Sequence, residues 1–307
     1  MASNCFYCNA LQKALKGNNF CSNSGDQLPH VGNNAFYIRA NNMQSGQHLS
    51  RLTIRSVFNG YQYHEVEGKE HLVDAHKYLV VNEGQSYCSE IHTEKPIEAL
   101  IIAFRSGFLE QVHYGMRTKE KQLLDNPLKE DFDVIGFFEN TYSASIDVQQ
   151  IFEQIRMTIL QQYRDTLFLE ELFVALLQKM LEKHRYVLGE IQQTSSRKTA
   201  TKIELYKRIS TAKDFMDAHC MNGLSLDRIS QVATLSPYHF LRTFKEFYGQ
   251  TPHQYLTQAR LQYAHYLLQS SSKTIGEISL ACGFESHSSF GRVFRRFWGC
   301  SPLEVRE

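Results

Sequence analysis

The sequence predicts a two-domain α+β chain, with an N-terminal β-barrel followed by helices and a C-terminal all-α domain carrying two helix-turn-helix motifs. Three observations carry this expectation. Residues from about 35 to 104 are short β-branched or aromatic segments separated by turn signals. From about Ser145 apolar residues recur at three- and four-residue spacing. In the last third of the chain, two stretches about 50 residues apart repeat one another. At 307 residues the chain is long enough for two separate cores.

Residues 1–34 read as a flexible N-terminal segment, rich in Gly, Asn and Ser between Lys16 and Asn34. Met1 to Cys8 lacks the basic and apolar zones of a secretory signal, and no apolar run approaches the roughly 20 residues that span a bilayer. A cytoplasmic, non-membrane protein is expected. Seven cysteines, an odd number scattered along the chain, fit reduced thiols better than a disulfide framework. Cys5-x-x-Cys8 with Cys21 and His30 has the only spacing that hints at zinc, but a second Cys-x-x-Cys is missing. No metal or other cofactor is expected, and whether Cys5, Cys8 and Cys21 bind an ion stays open.

Residues 35–189 are expected to form one domain. Its strand candidates are Ala35–Ala40, Leu52–Phe58, Gly60–Val66, Lys77–Val81 and Ile97–Phe104, punctuated by Asn59-Gly60, Glu67-Gly68 and Asn82-Glu83-Gly84. Many short strands at such spacing argue for a sandwich or barrel. Its histidines, His64, His71, His76 and His92, are spread out with no His-x-His, which speaks against a metal-dependent enzyme. Tyr61, Tyr63, Tyr78 and Phe104 are the candidate walls of an effector pocket, since aromatic side chains hold a small organic ligand without a metal. No nucleophile, phosphate loop or carboxylate pair stands out, so no catalytic residue is assigned. Two amphipathic helices follow, one marked by Ile146, Val148, Ile151, Phe152, Ile155 and Ile159, the other by Leu167, Leu169, Leu172, Phe173, Leu176, Leu177, Met180 and Leu181. The second stripe is wide enough to pair with a second subunit or to pack entirely within its own. Residues 190–200 read as a polar linker, and 201–307 as the second domain.

In that domain Leu226, Ile229, Val232 and Ala233 mark a short helix, and Ser236-Pro237 restarts another, serine capping the first turn and proline lacking an N–H that would be orphaned there. Phe240, Phe244 and Phe247 face inward, and Gly249 stops the helix. Ser286, Phe290, Phe294, Phe297 and Gly299 repeat this 50 positions later. Between the copies, Pro252 to Gln269 is one helix about 27 Å long at 1.5 Å per residue. A recognition helix fits a major groove, and successive grooves on one face lie about 34 Å apart, so a rod of this length can present two readers to one double-stranded DNA. Residues 197–307 hold 15 basic against 9 acidic side chains, leaving 18 against 23 in residues 1–196, although the whole chain is only +1. The basic part is where phosphates are expected.

The stretches Leu226–Pro252 and Ile275–Pro302 resemble the DNA-binding domain of the AraC/XylS family of bacterial transcription regulators. The resemblance covers about the last third of the chain. It implies a seven-helix, two-lobed reader of promoter DNA, most often an activator that touches RNA polymerase, and a cupin-like N-terminal barrel that binds a small-molecule effector or forms a homodimer. Position by position it implies base-facing places at Tyr238, His239, Leu241 and Arg242 and at His287, Ser288, Gly291 and Arg292. Lys245, Arg295 and Arg296 are expected to grip the phosphate backbone. Gly291 departs from the pattern, offering no side chain to a base, and the closing helix is expected to be short. The alternatives are a metal-dependent cupin enzyme fused to a DNA-targeting module and a ligand-independent dimeric regulator.

Overall fold

The structure is a computed structural model and describes residues 19–22, 32–118, 136–137, 141–161, 166–192 and 196–306. It divides into two compact units, residues 1–203 and 204–307, with the short stretches Glu70–Leu72 and Thr93–Lys95 belonging to the second. Cys5, Cys8 and His30 lie outside the described residues.

The first unit is an antiparallel sheet of eight strands curled into a barrel, with helices on one outer face. The strands are β1 (Asn19–Ser22), β2 (Asn34–Leu49), β3 (Thr53–Asn59), β4 (Tyr61–Val66), β5 (Lys69–Asp74), β6 (Lys77–Val81), β7 (Ser86–Ala103) and β8 (Thr141–Ser143). Part of the expected flexible segment is therefore strand, since β1 pairs with β2. The 18-residue β7 organises the sheet by pairing with β2, β3 and β4. Between β4 and β5, Glu67 and Gly68 both have positive φ (50° and 73°), the two-residue turn whose twist suits a hairpin.

Alternation along the strands sends side chains to two cores. Phe36, Ile38, Val57, Leu79, Val81, Tyr87, Ile91, Ala99 and Ile101 line the barrel interior. Their neighbours Tyr37, Ile54, Tyr78, Val80, Leu100, Ile102 and Phe104 face outward beneath three helices, α1 (Phe108–Arg117), α2 (Ile146–Leu160) and α3 (Thr166–Gln192). In α3, Leu169, Leu172, Phe173, Leu176, Leu177, Met180 and Leu181 are all buried in this same core. The apolar surplus offered to a second subunit is thus used inside the chain, and only Leu167 of the expected stripe is left exposed.

Helix α3 runs to Gln192 and α4 (Ser196–Ala218) begins four residues later, so helix occupies most of the stretch read as a linker. The remaining helices are α5 (Leu226–Val232), α6 (Pro237–Tyr248), α7 (Pro252–Ser270), α8 (Ile275–Ala281), α9 (His287–Trp298) and α10 (Pro302–Arg306). With α4 they make seven. Among the described residues no helix is long and apolar enough to cross a membrane.

Candidate nucleic-acid interface

Two small cores share one rod. The first lobe packs Ile209, Met216, Ile229, Ala233, Phe240 and Phe244 around Leu256, in the first half of α7. The second packs Ile278, Cys282, Phe290 and Phe294 around Leu261, Ala264, Leu267 and Leu268, in its second half. Thr251 caps α7 through a capping box with Gln254, and Thr274 does the same for α8 with Glu277.

Helices α6 and α9 are built alike, each with 12 residues. Ser236 accepts a hydrogen bond from the His239 N–H, and Ser286 from the Ser289 N–H at 3.2 Å. Each helix ends on a left-handed glycine, Gly249 at φ 69° and Gly299 at φ 77°, whose N–H returns to the carbonyl of Lys245 or Arg295. Phe240, Phe244, Phe290 and Phe294 are completely buried, which fixes the opposite faces outward. On α6 that face carries Tyr238 (78 % exposed), His239, Leu241, Arg242 and Lys245. On α9 it carries His287, Ser288, Arg292, Arg295 and Arg296, all exposed, with Gly291 half-buried among them. Phe297, expected inside, is 40 % exposed, because Phe290 and Phe294 already fill the pocket beneath α8.

Arg242, Lys245, Arg292, Arg295 and Arg296 form no salt bridge among the described residues. Five exposed cations outside any salt bridge thus stand on two helices that are built alike. The turns before the two helices differ. Thr234 takes the left-handed conformation (φ 52°) in the first lobe, where the second uses Gly283 (φ 71°) and one more residue before the cap.

One residue escaped the sequence reading. Arg260, in mid-rod, donates from Nε to the Cys220 carbonyl (2.7 Å), from Nη2 to that of Asn222 (3.2 Å) and from Nη1 to that of Gly283 (3.2 Å). Its guanidinium ties the end of α4 in one lobe to the turn of the other. The only signal was that Arg260 is the one Lys, Arg, Asp or Glu in the helix Pro252–Ser270. A second brace is buried: Lys213 Nζ lies 2.7 Å from Asp214 Oδ1 and 3.3 Å from Asp217 Oδ2, and the Tyr255 hydroxyl donates to Asp217 at 2.9 Å. Burial alone would depress the Lys213 ammonium, but Asp214, then Tyr255 and Asp217, hold its pKa well above the ordinary value.

Residues 229–307 match the family described as "Helix-turn-helix domain". This part of the chain is a helix-turn-helix domain. The chain is 36% identical to LumQ of Photobacterium leiognathi over 93 residues, which is 30% of this chain and 38% of that one. It is 34% identical to the HTH-type transcriptional activator RhaR of Escherichia coli over 136 residues, 44% of this chain and 45% of that one. A solved AraC-type DNA-binding domain-containing protein from Chromobacterium violaceum is 34% identical, with a TM-score of 0.31, over 35% of this chain and 92% of that one. The alignments thus span less than half the length of the curated relatives, and the helix-turn-helix domain lies within the more basic part of this chain.

The expected effector pocket is not assembled. Tyr78 and Phe104 point away from the barrel interior into the helix-covered core, Tyr78 stacked on Tyr142 at 5.5 Å and Phe104 beside Phe108 and Phe173. Tyr61 and Tyr63 alternate with Gln62, His64 and Val66, and Tyr63 is 40 % exposed. Strand parity decides this, and a single sequence leaves parity open. His64 and His71 are buried, His76 and His92 exposed, and no group of three or more His, Cys, Asp or Glu among the described residues is placed to hold a metal ion.

Proposed function

We propose that the chain is a sequence-specific regulator of transcription that reads promoter DNA with α6 and α9. The observation that carries this is a pair of equally capped helices whose outward faces hold unpaired cations, each packed on its own half of one rigid rod. Two major-groove readers on one frame let a single chain engage two groove segments without a partner subunit. Arg242 and Arg292 take base edges or phosphates, Tyr238, His239, Leu241, His287 and Ser288 line the same approach, and Lys245, Arg295 and Arg296 clamp the backbone. The relative RhaR is named as an activator, and activation through RNA polymerase is the reading that likeness supports. The barrel unit serves as the effector domain, the chain acts in the cytoplasm where promoter DNA is reached, and no catalysis is assigned to it.

The test is Arg242→Ala in a shift assay at fixed salt, on duplexes selected by the full chain from a random pool. Loss of a bidentate base contact is expected to cost about 1–3 kcal/mol, roughly 5–150-fold in affinity, at one base position. Unchanged affinity and unchanged sequence preference would remove α6 from the interface.

A further inference from the structure

Inside the barrel one buried cation has no counter-charge. Arg55 is 1 % exposed, and its β3 neighbours across the sheet, Leu79 and Ile101, belong to the interior core, so its side chain points into the lumen. Its guanidinium lies over the Tyr87 ring, 4.1 Å from the centroid, and one Nη donates to the Tyr87 hydroxyl. Among the described residues no carboxylate forms an ion pair with it, and its Nε is buried without a hydrogen-bond partner. Gln62, 1 % exposed and in step along β4 with interior Val66, has a buried Nε2 that likewise lacks an acceptor. On the same inner surface Ser45 and Ser89 pair at 3.1 Å, with His64 opposite Ser89 in register. Val57, Leu79, Ile101 and Met43 belong to the same interior apolar cluster.

A charge withdrawn from water without a partner is strongly unfavourable, and a barrel that only needed filling would be better served by methionine or leucine at this position. Both unsatisfied groups are donors. What is missing is therefore an acceptor, and facing a guanidinium it is an anion whose planar pair of oxygens matches the fork. We propose that the barrel lumen binds a small organic carboxylate, its carboxyl group on Arg55 and Gln62 and its apolar body among Val57, Leu79, Ile101 and Met43. This deepens the effector role assigned above and rests on it. Binding shifts regulation only by the difference in affinity between two states of the chain.

The full chain is titrated with acetate, butyrate, octanoate and benzoate at constant ionic strength, with the matching primary amides as neutral controls, and its melting temperature is followed. At least one acid is expected to raise Tm by roughly 3–6 °C at about ten times its Kd, with no shift from its amide. Arg55→Met is expected to abolish the shift and Arg55→Lys, which keeps charge but loses the fork, to weaken it about ten-fold or more. No shift in the wild-type chain with any of the four acids, or a shift that survives in a folded Arg55 variant, overturns the proposal. The same preparations are assayed for selective duplex binding. Selective binding without an acid response removes the carboxylate site alone, whereas an Arg55-dependent acid response without selective binding removes the regulator reading and leaves the site.

Discussion

At the scale of single residues, two positions show how local chemistry is weighed against place. Gly291 sits within α9, where glycine costs about 0.5–1 kcal/mol relative to alanine, and a Cβ there would meet nothing within 4 Å. Gly291→Ala is expected to stabilise the chain by about that amount, read as a higher urea midpoint at unchanged slope. A loss of stability would mean the glycine serves the folded domain itself. His184 on α3 is 8 % exposed and meets Phe137 edge-on at 5.5 Å. Burial lowers its pKa from the usual 6.5, so the unfolded chain takes up the proton first as pH falls. The stability tied to neutral His184 is present above about pH 6.5 and is lost as pH drops below it. Urea unfolding at pH 7.5 and 5.5 checks this: His184→Leu should flatten the difference between the two midpoints, and an unaltered difference assigns the pH dependence elsewhere.

At the scale of elements, the two lobes depend on α7 and on what is attached to it. Its two halves enter different cores, which fixes the distance between lobes, while Arg260 fixes their phase through three backbone carbonyls. Gly283 belongs to this joint, because a Cβ there would come within 3.1 Å of the Arg260 guanidinium. Replacing Arg260 by methionine keeps the apolar stem and removes the donors. The expected cost is on the order of 2 kcal/mol in stability. The more telling expectation is functional: the Arg260→Met chain should bind its selected duplex more weakly and discriminate less against duplexes with one base pair inserted between the two contacted segments. Undiminished discrimination at matched stability would show that packing on α7 alone sets the phase.

At the scale of the molecule, the labour is divided by residue type. Residues 197–307 carry the surplus of positive charge and the five exposed cations of the outward helix faces, the charge that the proposed reading of DNA needs. Residues 1–196 carry the acidic surplus and a barrel whose interior holds a buried arginine, a feature no scaffold needs for stability. Each unit has its own cores, and the apolar face of α3, broad enough in sequence to suggest a dimer, is covered by α2, α1 and the sheet.

The sequence by itself determined the two helix-turn-helix motifs: their helix starts and stops, their inward phenylalanines apart from Phe297, and their outward cations are local matters of capping, glycine and 3.6-residue periodicity. It also placed β3, β4, β6, parts of β2 and β7, and the helices α2 and α3, while β1, β5, β8 and α1 carried no signal strong enough to be read. Only the tertiary structure decided which way each strand faces, sending Tyr78 and Phe104 under the helices and Arg55 into the lumen, because shifting the register of a strand by one residue exchanges its two faces without altering its composition. For the same reason Arg260 was legible as a helical residue but not as a joint: its partners are backbone carbonyls 40, 38 and 23 positions away, and only folding brings them together.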